Sequence, residues 1–365
     1  MEINISRPQL SETLELLTRI STKHVTLPVL QCVLLEAKEE KLILKATNLE
    51  LSIEIELPCS VTESGIIAVP ANTLLQSIQY NTEGEISLRS EEGVLLIESK
   101  KTNTSIKSIP HDEFPVINRL KGDVIKINRA LFSLGIKTSS FAASLSSIKP
   151  ELGSVYIQQK KEHSLTFVST DSFRLMEKTV PQKGVILEQG FLVPQKNAVE
   201  LSRLCDLLKN DPDLLVTENQ CALWFKEEGV YITSRLVSGS FPDYEQIIPK
   251  EYSSHATVLK NDLLKALKKT SVFLNKYQQV TLSVLEGNIS LSSQNNEVGH
   301  VTDLVPAVFE GDELTLNFNQ QYISDPLSHI TDESVVLHFA GIGRPLVITG
   351  VSDKTLRYLV MPMNR

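Results

Sequence analysis

Cysteine is scarce: four in 365 residues (Cys32, Cys59, Cys205, Cys221), scattered and without a Cys-x-x-Cys pair. That pattern argues against a disulfide framework or a thiolate metal site and for reduced, buried thiols in a cytoplasmic protein. The seven histidines (His24, His111, His163, His255, His300, His329, His338) never fall at zinc-ligand spacing, so neither a metal nor a cofactor is expected. No apolar run reaches the length of a membrane span, and Met1-Glu2-Ile3-Asn4 leads straight into alternating structure with no basic-then-apolar leader. Positive charge is in deficit, 36 Lys and Arg against 44 Asp and Glu for a net −8. This excludes a generally basic nucleic-acid binder but leaves room for a local basic face. There is no phosphate-binding loop and no Gly-x-Ser-x-Gly nucleophile elbow. Gly341-Ile342-Gly343-Arg344 lacks a third glycine and runs into Pro345, which suits a hairpin turn rather than a dinucleotide site. Asp171 beside Arg174 could form half of an active site, but a turn carboxylate accepting backbone N–H groups is the commoner use of such a residue.

What the sequence has instead is repetition. Ser164-Leu165-Thr166-Phe167-Val168-Ser169 runs into the polar stretch Thr170-Asp171-Ser172-Phe173-Arg174. Similar strand-to-turn stretches lie at Thr47-Asn48-Leu49-Glu50 and Ser293-Gln294-Asn295-Asn296, so residues 47, 170 and 293 are 123 apart. Val69-Pro70-Ala71-Asn72 returns 124 residues later as Val193-Pro194-Gln195-Lys196 and, 125 further on, as Phe318-Asn319-Gln320-Gln321. Phe114-Pro115 returns as Phe241-Pro242. Three landmarks in one order at one step indicate a domain present three times, each copy about 122 residues and large enough for its own core. The boundaries fall at Lys121-Gly122-Asp123 and around Lys250 to His255, dividing the chain into 1–121, 122–250 and 251–365.

Within a copy the pattern is α+β, with two helices and many antiparallel strands. In the first, Ser6 is placed to cap a helix with Gln9 three residues on and Leu10, Leu14 and Leu17 on one face. Leu51 to Leu57 alternates strictly, predicting a strand with one buried and one wet face. A second helix follows Pro70, and Glu91-Glu92-Gly93 reads as a hairpin turn. In the second copy Asn128 is expected to cap a helix through Ile136, and Pro194 to Leu208 forms the other, with Val199, Leu204 and Leu208 inward. In the third, a helix starts near Asn261-Asp262, with Leu263, Leu267 and Leu274 on one side and Lys265, Lys268 and Lys269 on the other. Lys196 and Arg203 are two turns apart on the Pro194–Leu208 helix. Basic helix faces in two copies of an acidic chain read as a directed feature.

The triplication, Thr170-Asp171-x-x-Arg174-Leu175, Phe241-Pro242-Asp243-Tyr244, the C-terminal Tyr358-Leu359-Val360-Met361-Pro362-Met363 and the early Thr26-Leu27-Pro28-Val29-Leu30 together resemble the bacterial DNA polymerase III β subunit family. The resemblance spans the whole chain. It implies a non-catalytic sliding clamp, two chains closing head to tail into a ring of six domains around duplex DNA without sequence preference. A domain of this size is roughly 35 Å across, and six in a ring leave a hole wider than a duplex. Lys196, Arg203, Lys265, Lys268 and Lys269 would face the hole, with His24 in a loop where the family often has arginine. The dimer contact implied is Ser105-Ile106-Lys107 against Val272-Phe273 of the partner. The resemblance also implies a groove between the second and third copies for short peptides from polymerases, the clamp loader and repair proteins. Its apolar wall would be Leu152, Leu175, Pro242, Ile247, Val360, Met361, Pro362 and Met363. Thr170, Arg174 and Tyr322 would form polar edges, with Asn319 and Pro345 alongside.

The sequence departs from that family at Ser172-Phe173, where Gly-His is common, at Gln246, where arginine is frequent, and at its Asn364-Arg365 end. These departures bear on peptide preference. Two other classes remain open: an enzyme using Asp171 and Arg174 in the groove, and a repeat-built structural or adhesive protein.

Overall fold

The computed structural model describes residues 1–21, 27–146 and 148–363; His24 and Thr26 fall outside the described residues, as do Asn364 and Arg365. It contains two compact units, residues 1–129 with 203–236 and residues 130–202 with 237–365.

The first unit holds two antiparallel sheets. Five strands run in the order Ser60–Glu63, Glu2–Ser6, Glu85–Glu91, Val94–Glu98 and Asn103–Lys107. Eight run in the order Ile125–Lys126, Asp213–Val216, Gln220–Phe225, Val230–Arg235, Leu51–Pro58, Lys41–Thr47, Cys32–Lys38 and Gly65–Pro70. The second unit is built on one continuous chain of twelve strands, in which Arg174–Pro181 lies beside Leu356–Val360. Its core gathers Val258, Leu263, Leu267, Leu282, Leu291, Phe318, Leu337 and Ile348, all buried.

The sheets cross from one sequence repeat into the next, and they do so in the same way each time. Leu51–Pro58, the strand after the Thr47 turn, pairs with Val230–Arg235, the last strand of the second repeat, from Ile55↔Val230 to Leu51↔Ser234. Arg174–Pro181, the strand after the Thr170 turn, pairs with Leu356–Val360, the last strand of the third, from Arg174↔Val360 to Lys178↔Leu356. Antiparallel pairing satisfies the backbone groups of both edges, so each seam extends a sheet rather than merely packing two surfaces.

The second landmark is a strand-to-helix junction in all three copies. Gly65–Pro70 enters the helix Ala71–Gln79, Phe191–Pro194 enters Gln195–Leu207, and Leu314–Asn319 enters Gln320–Ser324. Each repeat has a second helix: Arg7–Ile20, Arg129–Ser139 and Lys260–Thr270. Leu10, Leu14 and Leu17 are wholly buried, as their spacing requires. Lys265, Lys268 and Lys269 stand exposed opposite buried Leu263, Ala266 and Leu267; Lys196 and Arg203 are exposed opposite buried Ala198, Leu201 and Leu204.

Several local expectations need correction. Ser6 occupies the N-cap, but its side chain makes no capping hydrogen bond. At the start of the Arg129–Ser139 helix, the Asp211 carboxylate, distant in sequence, accepts the Arg129 N–H at 2.9 Å. Leu274 lies beyond its helix, which ends at Thr270. Leu208 lies beyond the Gln195–Leu207 helix, and neither it nor Val199 is fully buried. The outer face of Leu51–Pro58 is not simply wet: Glu54 is buried, held by Arg119 at 2.6 Å, with Lys45 at 3.6 Å. Arg119 in turn covers the rings of Trp224 and Tyr231 at 5.2 and 5.4 Å. The third polar stretch does not turn at Ser293, because Ser293↔Val301 and Gln294↔His300 remain paired and the chain reverses between Asn295 and Gly299. The Glu91-Glu92-Gly93 hairpin is as read: Glu92 (φ 46°) and Gly93 (φ 78°) are both left-handed, the twist a two-residue hairpin needs.

The Thr47 and Thr170 turns are the same object. Thr47 Oγ1 donates to Leu51 O and accepts the Leu49 N–H, while Asn48 Oδ1 accepts the N–H groups of Glu50 and Leu51 at 3.0 and 2.8 Å. Leu49 is forced to φ 76°. The Leu49→Gly variant should therefore gain up to about 1 kcal/mol by relieving left-handed strain, net of the chain entropy glycine adds. The Asn48→Ala variant should lose about 1–2 kcal/mol by stranding two N–H donors. Denaturant midpoints of the two variants should shift in opposite directions.

Candidate functional site

At the Thr170 turn the same hydrogen bonds recur with Asp171 in place of asparagine. Thr170 Oγ1 donates to Arg174 O at 2.6 Å and accepts the Ser172 N–H at 3.2 Å. Asp171 Oδ1 accepts the N–H groups of Phe173 and Arg174, each at 2.9 Å, and Ser172 takes φ 77°. A carboxylate adds what an amide could not, an ionic contact from Asp171 Oδ2 to Arg174 Nε at 3.0 Å.

Arg174 is committed on every side. Its Nη1 reaches Asp325 at 2.5 Å, its Nη2 donates to Phe141 O at 3.1 Å, and its plane lies over Tyr322 at 4.4 Å and Phe141 at 5.5 Å. Tyr358 donates its hydroxyl to Tyr322 O at 2.8 Å, and Phe141 stacks on His329 at 4.7 Å. Arg174 thus ties the end of its strand to the Gln320–Ser324 helix and its continuation. Asp171 has both oxygens engaged, Oδ1 by backbone N–H groups and Oδ2 by Arg174, so the pair does structural work.

Beyond the turn the C-terminal segment crosses from one repeat to the other. The Met361 N–H donates to Phe173 O at 2.8 Å and the Met363 N–H to Asn317 O at 2.7 Å. Beneath it lies an apolar floor of Val168, Leu175, Tyr244, Val347 and Leu359, edged by Tyr156, Phe241, Ile248, Tyr252 and Met361. Phe173, with 62% of its surface exposed, and Ile247, with 48%, stand at the surface, as do Pro242 and Gln246. Arg174, Asn319, Tyr322, Pro345, Met361, Pro362 and Met363 are half-buried, whereas Leu152, Thr170, Leu175 and Val360 are covered by the chain's own atoms. Asn319 Oδ1 caps the Gln320–Ser324 helix by accepting the Gln321 N–H.

Two placements differ from the sequence reading. Val360 pairs opposite Arg174 and packs with Met176 and Tyr358, on the other face of the sheet from Leu175. Leu359, opposite Leu175, supplies the floor instead; period-two parity with Met361 was the available signal. Ile248 packs against the cluster, while Ile247 stands exposed beside it. A polar hollow of about 980 Å³ opens elsewhere, lined by Asn275, Tyr277, Gln279, Ser292, Gln294 and His300 among others. Its lining is mostly amides, hydroxyls and charged groups, with Tyr277 and Val301 the apolar exceptions, so the apolar cluster at Leu175 is the stronger binding candidate.

Glu177, buried on the same outward face, accepts Lys160 Nζ and the Tyr244 hydroxyl, each at 2.7 Å. Burial works against its charge, but these two partners outweigh it and hold the carboxyl below its ordinary range. The stability it contributes is full above the unfolded carboxylate pKa and is lost as pH falls through the folded one. Thermal melts between about pH 6 and pH 3 should therefore fall more steeply for the native chain than for Glu177→Gln. The Arg174→Ala variant, leaving Asp171 and Asp325 without their shared cation, should cost about 3 kcal/mol, and Arg174→Lys less. Denaturant unfolding of both variants checks this.

Comparison with known proteins agrees with this architecture. The chain matches the DNA polymerase III beta subunit in three consecutive pieces: its N-terminal domain over residues 1–118, its central domain over 126–243 and its C-terminal domain over 245–364. A beta sliding clamp of Caulobacter vibrioides is 27% identical over 374 residues, covering 100% of both chains. One of Staphylococcus aureus is 26% identical over 381 residues, covering 100% of this chain and 99% of the relative. The crystal structure of the DNA polymerase III subunit beta from Pseudomonas aeruginosa superimposes with a TM-score of 0.95 at 25% identity, covering 100% of both chains. The chain belongs to the DNA polymerase III beta subunit family.

Proposed function

We propose that two copies of this chain close through a third seam of the kind already present twice within it, and that the resulting ring slides on duplex DNA while carrying polymerase and other partners at the Leu175 groove. The chain is a non-catalytic sliding clamp, the processivity subunit of a replicative DNA polymerase. The observation that carries this reading is a pair of open strand edges. Among the described residues, 299–306 of Gly299–Gly311 pair with Asn288–Asn295 alone, since Ser254–Leu259 takes up 307–311. Asn103–Lys107, the last strand of the first repeat, pairs among the described residues with Val94–Glu98 alone and ends its sheet. These are the counterparts of the strands that meet at the two internal seams. Joined between copies, they close the ring with two equal contacts.

Ile106 is buried in its own repeat, 4% exposed, so it supports the seam from beneath and the contact is made by backbone and neighbouring side chains. Val272 is 64% exposed and Leu304 60%, apolar surface suited to covering the joint. Phe273 lies against Gly299, at the start of the open edge.

Lys196, Arg203, Lys265, Lys268 and Lys269 are the DNA-facing set. Two already have acidic neighbours, Lys265 with Asp262 at 3.3 Å and Lys269 with Asp303 at 2.8 Å. Their hold on phosphate is correspondingly weak, which suits movement along the duplex: phosphate contacts carry no sequence information and exchange with counterions. The repeats are drawn at 1–121, 122–250 and 251–365, each lending its helices to the inner wall. No described helix is long and apolar enough to cross a membrane, and the chain's place is the cytoplasm, with the replication machinery.

In the groove, Leu175 and Leu359 form the floor and Phe173, Ile247, Pro242 and Met361 the rim. A partner peptide gains about 1.5–3 kcal/mol per buried apolar side chain before ordering costs, which gives affinity near micromolar. Phe173 and Gln246 place no cation at the rim, so acidic residues flanking a peptide motif should add little. Removing Met361 to Arg365 should abolish peptide binding in calorimetry while leaving the dimer intact in sedimentation. Phe273→Asp should do the reverse, giving monomers that still bind peptide. Reversing the charge of all five basic residues should shorten retention on nicked circular DNA; unchanged retention would remove them from the inner face.

A further inference from the structure

His255 and His338 are direct cross-strand partners between Ser254–Leu259 and Ser334–Phe339. Their Nδ1 atoms are 2.8 Å apart, so one ring donates a proton that the other accepts. The far nitrogen of His338, Nε2, lies 2.9 Å from the Thr349 hydroxyl on the next strand. Tyr252 closes the group, its ring 5.1 Å from that of His338 and 5.7 Å from that of His255. Nothing in the clamp reading uses this cluster.

We propose that His255 and His338 form a binding site for a divalent transition ion that favours square geometry, Cu(II) first and Ni(II) next. The separation of the two nitrogens favours such an ion. Two nitrogens about 2.0 Å from an ion and at right angles to each other are about 2.8 Å apart, whereas a tetrahedral ion holds them about 3.3 Å apart. The strand pairing sets the two residues opposite each other, and their hydrogen-bonded Nδ1 atoms stand at the shorter separation. Each ring must turn so that its lone pair meets the ion in place of the other ring. The proton now shared between the Nδ1 atoms moves to Nε2 of the His255 ring, so both ligands bind as neutral imidazoles without net proton release. Thr349 accepts the Nε2–H of His338, the outer contact that fixes a ligating imidazole.

The surroundings suit a neutral nitrogen donor. Burial, then His255 and Lys354, push His338 down to about 4. Glu310 is the cross-strand neighbour of His255 on its other side, and Arg357 acts on Tyr252. Among the described residues no third His, Cys, Asp or Glu converges to complete a protein cage. Water fills the remaining positions, so the site is exchangeable and unlike a four-ligand structural zinc centre. Tyr252 also packs against the groove floor, which places the ion one ring away from Leu175 and Leu359.

The test is titration of the tag-free chain with Cu(II), Ni(II) and Zn(II) in a weakly coordinating buffer, followed by calorimetry and, for Cu(II), electron paramagnetic resonance. The expected result is one Cu(II) per chain with a two-nitrogen hyperfine pattern, binding at least tenfold tighter than Zn(II) and weakening below about pH 5 as protons compete. His255→Gln and His338→Gln should each lose the two-nitrogen pattern and weaken binding tenfold or more. Absence of that pattern in the native chain at equimolar Cu(II) overturns the proposal whether or not the variants fold. Zinc binding more tightly than copper, or unchanged copper binding in the folded double variant, overturns it as well.

Discussion

Hydrogen bonding between the strand after each polar turn and the last strand of the next repeat is the constraint on which the rest depends. A strand edge left open inside a protein strands its N–H and C=O groups, and pairing with the following repeat satisfies them in one step. Because each repeat carries both kinds of edge, one rule generates two internal joints and leaves one edge of each kind over. On the proposed closure, assembly is a continuation of folding rather than a separate invention. The same logic explains why the compact units do not coincide with the sequence repeats: strands 213–235 of the second repeat extend the first repeat's sheet, while strands 154–194 extend the third's.

Seam geometry also creates the apolar floor of the proposed groove. Arg174–Pro181 and Leu356–Val360 meet in register, so their outward residues Leu175 and Leu359 stand side by side as an apolar floor. The chain then leaves the sheet as Met361-Pro362-Met363 and is held at both ends by backbone hydrogen bonds to Phe173 and Asn317. Arg174 locks the facing side of the seam to the third repeat through Asp325 and Tyr322. Methionine at the rim gives an unbranched, polarizable, adaptable surface above a floor of buried side chains.

Buried carboxylates mark both seams. Glu54 and Glu177, which are 123 residues apart, occupy equivalent positions on the two seam strands, and each is buried. The first is held by Arg119 and Lys45, the second by Lys160 and Tyr244. A buried acid with two partners adds little net energy compared with a well-packed apolar pair, but its loss on one side is costly, so it penalises incorrect pairing of the strands.

Much of this was legible in the residues. The threefold step, the Pro70, Pro194 and Asn319 junctions and the Thr-Asn or Thr-Asp turn follow from local chemistry, since capping, turn formation and helical or period-two spacing act within a few residues. The exposed cations of Lys260–Thr270 and the buried Leu10, Leu14 and Leu17 follow for the same reason. What lay beyond reach involved partners distant in sequence. Parity alone could have separated Leu359 from Val360, but which face becomes a groove depends on the strand across the seam. Ile106 turns inward because its own sheet buries it, and Asp211 caps a helix that begins 82 residues earlier. His255 and His338, 83 residues apart, share a proton solely because two strands place them opposite each other. Local patterns determine the elements and their repetition; strand register, a long-range property, decides which side chains meet.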